Sequence, residues 1–357
     1  MGKHSQQNEV NEIKKKNGFV TFLKVLGIII LTIALIALGV GIGVYIYVRS
    51  SLGQMQQVDI DESSIEVNEG VKESLQGYRT IALFGVDSRE DKLEKGTRSD
   101  CIILAIINQK TKDVKLVSVY RDTYLQISGR GLDKVTHAYA YGGAELSMST
   151  LNTNLDLNIT EFATVNFDSL VDIVDAIGGI KINIEASELE YLNGYTKSTA
   201  QTVGKSYTEI KSTGLQNLSG VQAVAYSRIR FTAGGDYKRT ERMRTVLMAI
   251  VDKAKKLGVG ELNKLVKTVL PRIYTNISPD EIISLIPQLA TYKFSESMGW
   301  PYETKGDTIG GVWYGVPIDL AKNVEKLHKE VLAQENYEVS DKVKNISNSI
   351  INKTGYK

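Results

Sequence analysis

The stretch at 226–244, YSRIRFTAGGDYKRTERMR, sets six basic side chains (Arg228, Arg230, Lys238, Arg239, Arg242, Arg244) around a Gly234-Gly235 turn. Beyond it, Met243, Leu247, Ile250, Val251, Ala254 and Leu257 recur at three- and four-residue steps, which predicts a helix ending at Gly258. Asp236 is the expected cap of that helix. Arg239 stands four residues before Met243, on the extension of the apolar stripe, with Arg242 beside it. An arginine therefore faces inward over a helix start whose free N–H groups favour an anion. Arg228 and Arg230, two apart, project from one side of a segment read as extended. Guanidinium groups gathered so closely repel one another unless negative charge lies between them. Phosphate or diphosphate suits them, because the guanidinium fork binds it bidentately. The structural alternative is a solvated basic loop. The inward phase and the Gly-Gly turn weigh against it.

A second set of charges falls at the ends of three apolar runs. TIALFGV (80–86) ends at Asp87-Ser88-Arg89, Arg98-Ser99-Asp100 leads into CIILAII (101–107), and VKLVSVY (114–120) ends at Arg121-Asp122. As an antiparallel meander these strands put Asp87, Arg89, Arg98, Asp100, Arg121 and Asp122 on one edge of a sheet. Polar residues at one edge of a rigid apolar scaffold are how sites are commonly built. Ordinary strand-end ion pairs are the structural alternative. Lys134 fits either a phosphate or glycan contact or a solvated lysine. His137 reads as packing, and Cys101, opening a strand, as a small buried hydrophobe.

These residues need positioning elements. A helix is expected over 143–155, a strand over 162–167 and a helix over 169–177 capped by Asp168 and ended by Gly178-Gly179. IKINI (180–184) follows as a strand, so strand, helix and strand suggest a crossover unit in a mixed sheet. Residues 185–216 are polar and read as an insertion or flap. A short helix over 219–226 delivers the arginine stretch, and another is expected over 261–269. Then come a segment at 278–291 and GVWYGVP (311–317); residues 336–357 read as a flexible tail. The helices at 169–177 and 245–257 could wall an apolar slot for a lipid.

The chain has 357 residues, 42% hydrophobic and 24% charged, a globular composition. Its net charge of +2 argues against a nucleic-acid partner. One cysteine and three scattered histidines exclude an intramolecular disulfide and argue against zinc. Residues 25–48 carry no charge and are bounded by Lys24 and Arg49. That run is long enough to span a bilayer and predicts a retained transmembrane helix. Lysines before it and acids after it place residues 1–24 in the cytoplasm, and 49–77 as an extracellular stalk. The folded domain, 78–335, is then extracellular on a single-pass type II membrane protein.

The motifs FGVDSR (84–89), RSDCIILA (98–105), SVYRDTYL (118–125), DKVTHAYAYGG (133–143), DAIGGI (175–180) and the arginine stretch resemble the LytR-CpsA-Psr family of Gram-positive cell-envelope proteins. The resemblance covers roughly residues 79–257. It implies a three-layer α/β/α sandwich on a mixed, partly antiparallel sheet. It also implies transfer of a phospho-glycopolymer, of teichoic-acid or capsule type, from a polyprenyl-diphosphate carrier to peptidoglycan with magnesium (or manganese). In matching positions Asp87 and Asp100 look like the metal carboxylates. Arg89, Arg98, Arg121, Arg228, Arg230, Arg239 and Arg242 look like the diphosphate clamp, with Asp87, Asp100, Arg121 and Arg228 central to catalysis. Cys101 and Met243 depart from the family's usual Thr and Gln, and neither removes a charge. A hydrolase using water as acceptor, and a diphosphate-lipid-binding regulatory protein, are the competing readings.

Overall fold

In the computed structural model the described residues are 56–88, 93–258, 261, 265, 268–285 and 288–357. The apolar run at 25–48, Arg89 and most of the helix expected over 261–269 lie outside them. Among the described residues no helix is long and apolar enough to cross a membrane.

Among the described residues the first elements are β1 (Gln56–Gln57) and the single turn α1 (Val71–Ser74), then β2 (Tyr78–Val86), β3 (Ser99–Asn108) and β4 (Asp113–Val119). These last three form the expected meander: β2 pairs antiparallel with β3, and β3 antiparallel with β4. A hairpin of β5 (Tyr124–Ile127) and β6 (Gly131–Lys134) leads into α2 (Val135–Leu155) and β7 (Ile159–Val165). Then follow α3 (Phe167–Ala176), β8 (Ile180–Ile184), α4 (Ala186–Val203), β9 (Gly214–Leu218), α5 (Gly220–Arg228) and α6 (Gly235–Ala254). The remainder comprises β10 (Tyr274–Thr275), α7 (Pro279–Leu285), β11 (Lys293–Trp300), the hairpin β12 (Thr304–Ile309) and β13 (Val312–Pro317), α8 (Leu320–Leu332) and α9 (Asp341–Thr354).

The main sheet runs β1-β10-β7-β2-β3-β4-β11 and is mixed, because β2 pairs parallel with β7 and β4 parallel with β11. Its mixed character does not come from the expected crossover. β8 leaves the main sheet and, among the described residues, pairs only with β9 in a separate ribbon.

Both faces of β3 are covered, which explains its near-continuous apolar sequence. Ile102, Leu104 and Ile106 join a core with Met148 and Leu151 of α2, Leu327 of α8 and Ile346 of α9. On the other face Ile103 packs with Leu116, Leu247 and Met248, the last two from α6.

Four local expectations are corrected. Residues 336–357 are not a loose tail: Val343, Ile346 and Ile350 recur at helical spacing and bury the inner face of α9. Part of the expected stalk belongs to the domain, since Ile65, Val71 and Leu75 are core residues and β1 pairs with β10. The polar 185–216 segment is mostly α4, held by a capping box between Glu185 and Glu188. The cap of α3 is Asn166, which accepts from the Ser169 N–H, so Asp168 falls in the first turn.

Candidate active site

The meander brings the end of β2, the start of β3 and the end of β4 to one edge, as the strand-end charges require. Strands β2 and β3 approach closely there: a Cβ on Gly85 would lie 2.8 Å from that of Cys101. Facing this edge, α5 ends at Arg228, and Arg230 precedes the Gly234-Gly235 turn into α6. Gly234 is the N-cap, in the left-handed region with φ 91°, so Asp236 is freed from the capping role and stands in the first turn.

These segments enclose a cavity of about 590 Å³ lined by Asp87, Arg98, Asp100, Arg121, Arg228, Arg230 and Arg239, with Thr97, Phe167, Tyr195 and Met243. Seven of the residues singled out from sequence therefore share one space.

The carboxylates order the arginines. Arg121 Nη1 donates to Asp100 Oδ1 at 2.7 Å, and Arg230 Nη2 stands 4.0 Å from Asp100 Oδ2. Arg121 Nε lies 3.4 Å from Asp122 Oδ2, while Lys134 Nζ reaches Asp122 Oδ1 at 2.8 Å. Lys134 thus holds Asp122. Asp236 Oδ1 sits between Arg230 Nε at 3.3 Å and Arg239 Nη2 at 3.1 Å. Burial pulls the Arg121 pKa down, but Asp100 and Asp122 outweigh it and hold it above the ordinary value. Its charge is fixed at any working pH.

Arg228 is anchored differently, and sequence reasoning missed its partners. Its Nη1 donates to Thr199 Oγ1 at 2.7 Å, and the guanidinium stands over the rings of Phe167 (5.1 Å) and Tyr195 (5.7 Å). Thr199 and Tyr195 lie on α4, inside the segment read as a flap; only an amphipathic helix reading of that segment could have found them.

Arg242 is not placed in the cavity. It is buried, paired with buried Glu188 at 2.8 Å, and donates to the Ile229 carbonyl and Thr232 Oγ1. These bonds tie α6 to α4 and to the segment between α5 and α6. Arg244 is also buried, with Nε and Nη1 lacking hydrogen-bond partners, and burial lowers its pKa.

A second, apolar cavity of about 240 Å³ lies between the sheet and α3 and α6. Leu83, Ile103, Val165, Leu170, Ile173, Val246, Leu247 and Ile250 line it, so both helices expected to wall an apolar slot contribute to its lining. It shares Asp100, Phe167 and Met243 with the arginine cavity. Cys101 lines it too; burial, reinforced by Asp100, pushes its thiol up to about 12.

The oxygen donors bear on a metal. Among the described residues no group of three or more His, Cys, Asp or Glu gathers. Asp87 and Asp100 nevertheless line one cavity with the arginines. Two hard carboxylates beside a phosphate-sized space fit magnesium, which keeps waters and substrate phosphates among its ligands.

Fold and site define a mixed α/β protein whose arginine–carboxylate cavity adjoins an apolar one. The chain belongs to the LytR_cpsA_psr family, matching it over residues 42–330. It is 33% identical over 233 residues to the polyisoprenyl-teichoic acid–peptidoglycan teichoic acid transferase TagT of Bacillus subtilis, spanning 64% of this chain and 70% of TagT. Against TagU of the same organism, named for the same activity, it is 30% identical over 306 residues, or 84% of this chain and 91% of TagU. The solved structure of TagT (YwtF) with bound octaprenyl pyrophosphate lipid matches with a TM-score of 0.51 at 23% identity, covering 84% of this chain and 94% of that one. That likeness shows the fold.

Proposed function

We propose that this protein transfers an anionic phospho-glycopolymer of the teichoic-acid type from a polyprenyl-diphosphate carrier to peptidoglycan. One observation carries the reading: an arginine–carboxylate cavity and an apolar cavity meet at Asp100, Phe167 and Met243. A carrier of this class has a diphosphate head for the first and an isoprenoid tail for the second. The names of TagT and TagU agree with it.

In the reaction, an acceptor hydroxyl oxygen forms a bond to the glycan-bearing phosphorus. The bond from that phosphorus to the bridging oxygen breaks. Polyprenyl phosphate leaves with the electron pair and carries the displaced proton, so charge balances. Such a transfer needs positioning and neutralisation of charge more than a protein nucleophile. Arg121, Arg228, Arg230 and Arg239 supply the fixed positive charge, and Asp100 and Asp236 hold three of them in place. Asp87 and Asp100 would hold magnesium, whose role when bound is to neutralise phosphate oxygens. Leu170, Ile173, Val246 and Ile250 exclude water from the tail.

We read the sheet with its two helical covers as an α/β/α sandwich, and the run at 25–48 as an anchor holding the domain outside the membrane. Protease added to protoplasts should then digest the domain and spare residues 1–24. Protection of the C-terminal residues would overturn this topology.

The functional test is a transfer assay with lipid-linked donor, peptidoglycan and magnesium. Asp87→Ala and Asp100→Ala should each abolish glycan attachment while the circular dichroism spectrum is kept. Full activity in either variant, or in excess chelator, would count against the metal. Release of polyprenyl phosphate without attachment to peptidoglycan would make water the acceptor.

A further inference from the structure

The GVWYGVP segment and its hairpin, β12–β13, have no part in the site described so far. They help wall a third cavity of about 220 Å³, whose other walls come from Tyr120–Thr123 and from the start of α6. Arg121 and Arg239 line both this cavity and the diphosphate cavity. The third cavity shares no residue with the apolar one. The arginine cavity therefore stands between a space for the carrier tail and a space with a different lining.

That lining has unmet hydrogen-bond capacity. Arg239 Nε is buried without a hydrogen-bond partner, and Arg121 Nε and Asp236 Oδ1, though ion-paired at 3.1–3.4 Å with Asp122, Arg230 and Arg239, make no aligned hydrogen bond; Arg239 is only 3% exposed. Two donors and one acceptor suit a group that both accepts and donates better than an ionised phosphate, which only accepts, or an apolar group. A hydroxyl satisfies both kinds, accepting from a guanidinium and donating to a carboxylate. Around these atoms are aromatic surfaces. Trp313 is 45% exposed, and the Tyr237 ring stands edge-on to Tyr120 at 4.5 Å. The C–H faces of pyranose rings stack on such planes while their hydroxyls reach the polar wall. A cavity of about 220 Å³ has room for one sugar ring.

We infer that this cavity is the subsite for the acceptor saccharide, a pyranose of the glycan strand that receives the polymer. The inference rests on the transferase reading above. In-line displacement at phosphorus puts nucleophile and leaving group on opposite sides. A carrier leaving toward α3 and α6, and an acceptor arriving from β12–β13, would approach the shared arginines from cavities that have no lining residue in common.

The test uses the full chain, lipid-linked donor and an uncrosslinked peptidoglycan oligosaccharide. Trp313→Ala should raise the acceptor KM at least about tenfold, equivalent to about 1.4 kcal/mol. The donor KM and the rise in Tm on adding polyprenyl diphosphate should not change. Trp313→Phe should keep most of the acceptor affinity. Direct binding gives a readout independent of turnover. The two tryptophans are Trp300, fully buried, and Trp313, so oligosaccharide should perturb a fluorescence signal that Trp313→Phe abolishes. An unchanged acceptor KM in Trp313→Ala, or a rise in donor KM instead, would overturn the subsite. Absence of all transfer by the unsubstituted protein would bring down the transferase reading, whereas transfer without the fluorescence change would bring down the subsite alone.

Discussion

Arg228 and Arg242 stand fourteen positions apart in one basic stretch and do opposite work. Arg228 lines the cavity, steadied by Thr199 and two aromatic rings, with a free share of its fork. In Arg228→Lys and Arg230→Lys the charge stays but the fork is lost. Each charge-assisted hydrogen bond lost is worth roughly 1.5–3 kcal/mol, so transfer should slow about ten- to a hundredfold with Tm unchanged. Undiminished transfer in both variants would make them solvated surface. Arg242→Ala should behave otherwise, because it strands Glu188, which is 1% exposed. Removing one partner of a buried pair costs about 3–5 kcal/mol, and a melt with and without ligand should show lower Tm but a retained ligand shift. The arginine spacing was legible because a charged residue on an apolar stripe must point inward. Whether it pointed at a ligand or at Glu188 was not, since that partner lies 54 residues away on α4. Cys101 offers a pH test. Its thiol is held up to about 12 against an ordinary 9.0, so the unfolded chain gives up the proton first. That stability is present below pH 9.0 and is lost as pH climbs toward about 12. Cys101→Ala should show a shallower alkaline fall in Tm, and native Cys101 should resist alkylation at pH 8.

At the scale of elements, the strands were legible and the connections less so. The runs at 80–86, 101–107 and 114–120 became β2, β3 and β4 with their ends shifted by no more than two residues, because both-sided burial writes itself as apolar sequence. β8 also fell where expected, but its partner is β9, and no local pattern shows that a strand will leave the main sheet. The C-terminal helix was hidden for another reason: three apolar positions among polar residues are enough for a helix that buries one narrow stripe. Deleting residues 336–357 should therefore destabilise the domain, since Val343, Ile346 and Ile350 each contribute about 1.5–3 kcal/mol on burial. A denaturant midpoint equal to that of the full chain would show α9 to be dispensable.

For the molecule as a whole, three adjoining cavities divide the substrate's chemistry by polarity, and the apolar one can be tested separately. Ile250→Trp should fill it. The variant should lose the Tm shift given by a long-chain polyprenyl diphosphate and keep that of a short, soluble isoprenyl diphosphate. Equal loss of both shifts would mean that the helices are displaced rather than the tail excluded. The order β1-β10-β7-β2-β3-β4-β11 has a further consequence, for how the protein is made. The central strands are synthesised early, yet β10 and β11 flank them from beyond residue 270, and α8 and α9 cover one face from beyond residue 319. A ribosome delivering residues in sequence leaves the part of that face not covered by α2 bare until α8 and α9 follow. The domain can therefore close only after α9 has been delivered, and its pairings over long sequence separations make that closure slow and prone to aggregation. Each new copy spends its first moments as a sticky, half-covered sheet, and shielding during synthesis matters as much to the yield of this protein as its final stability.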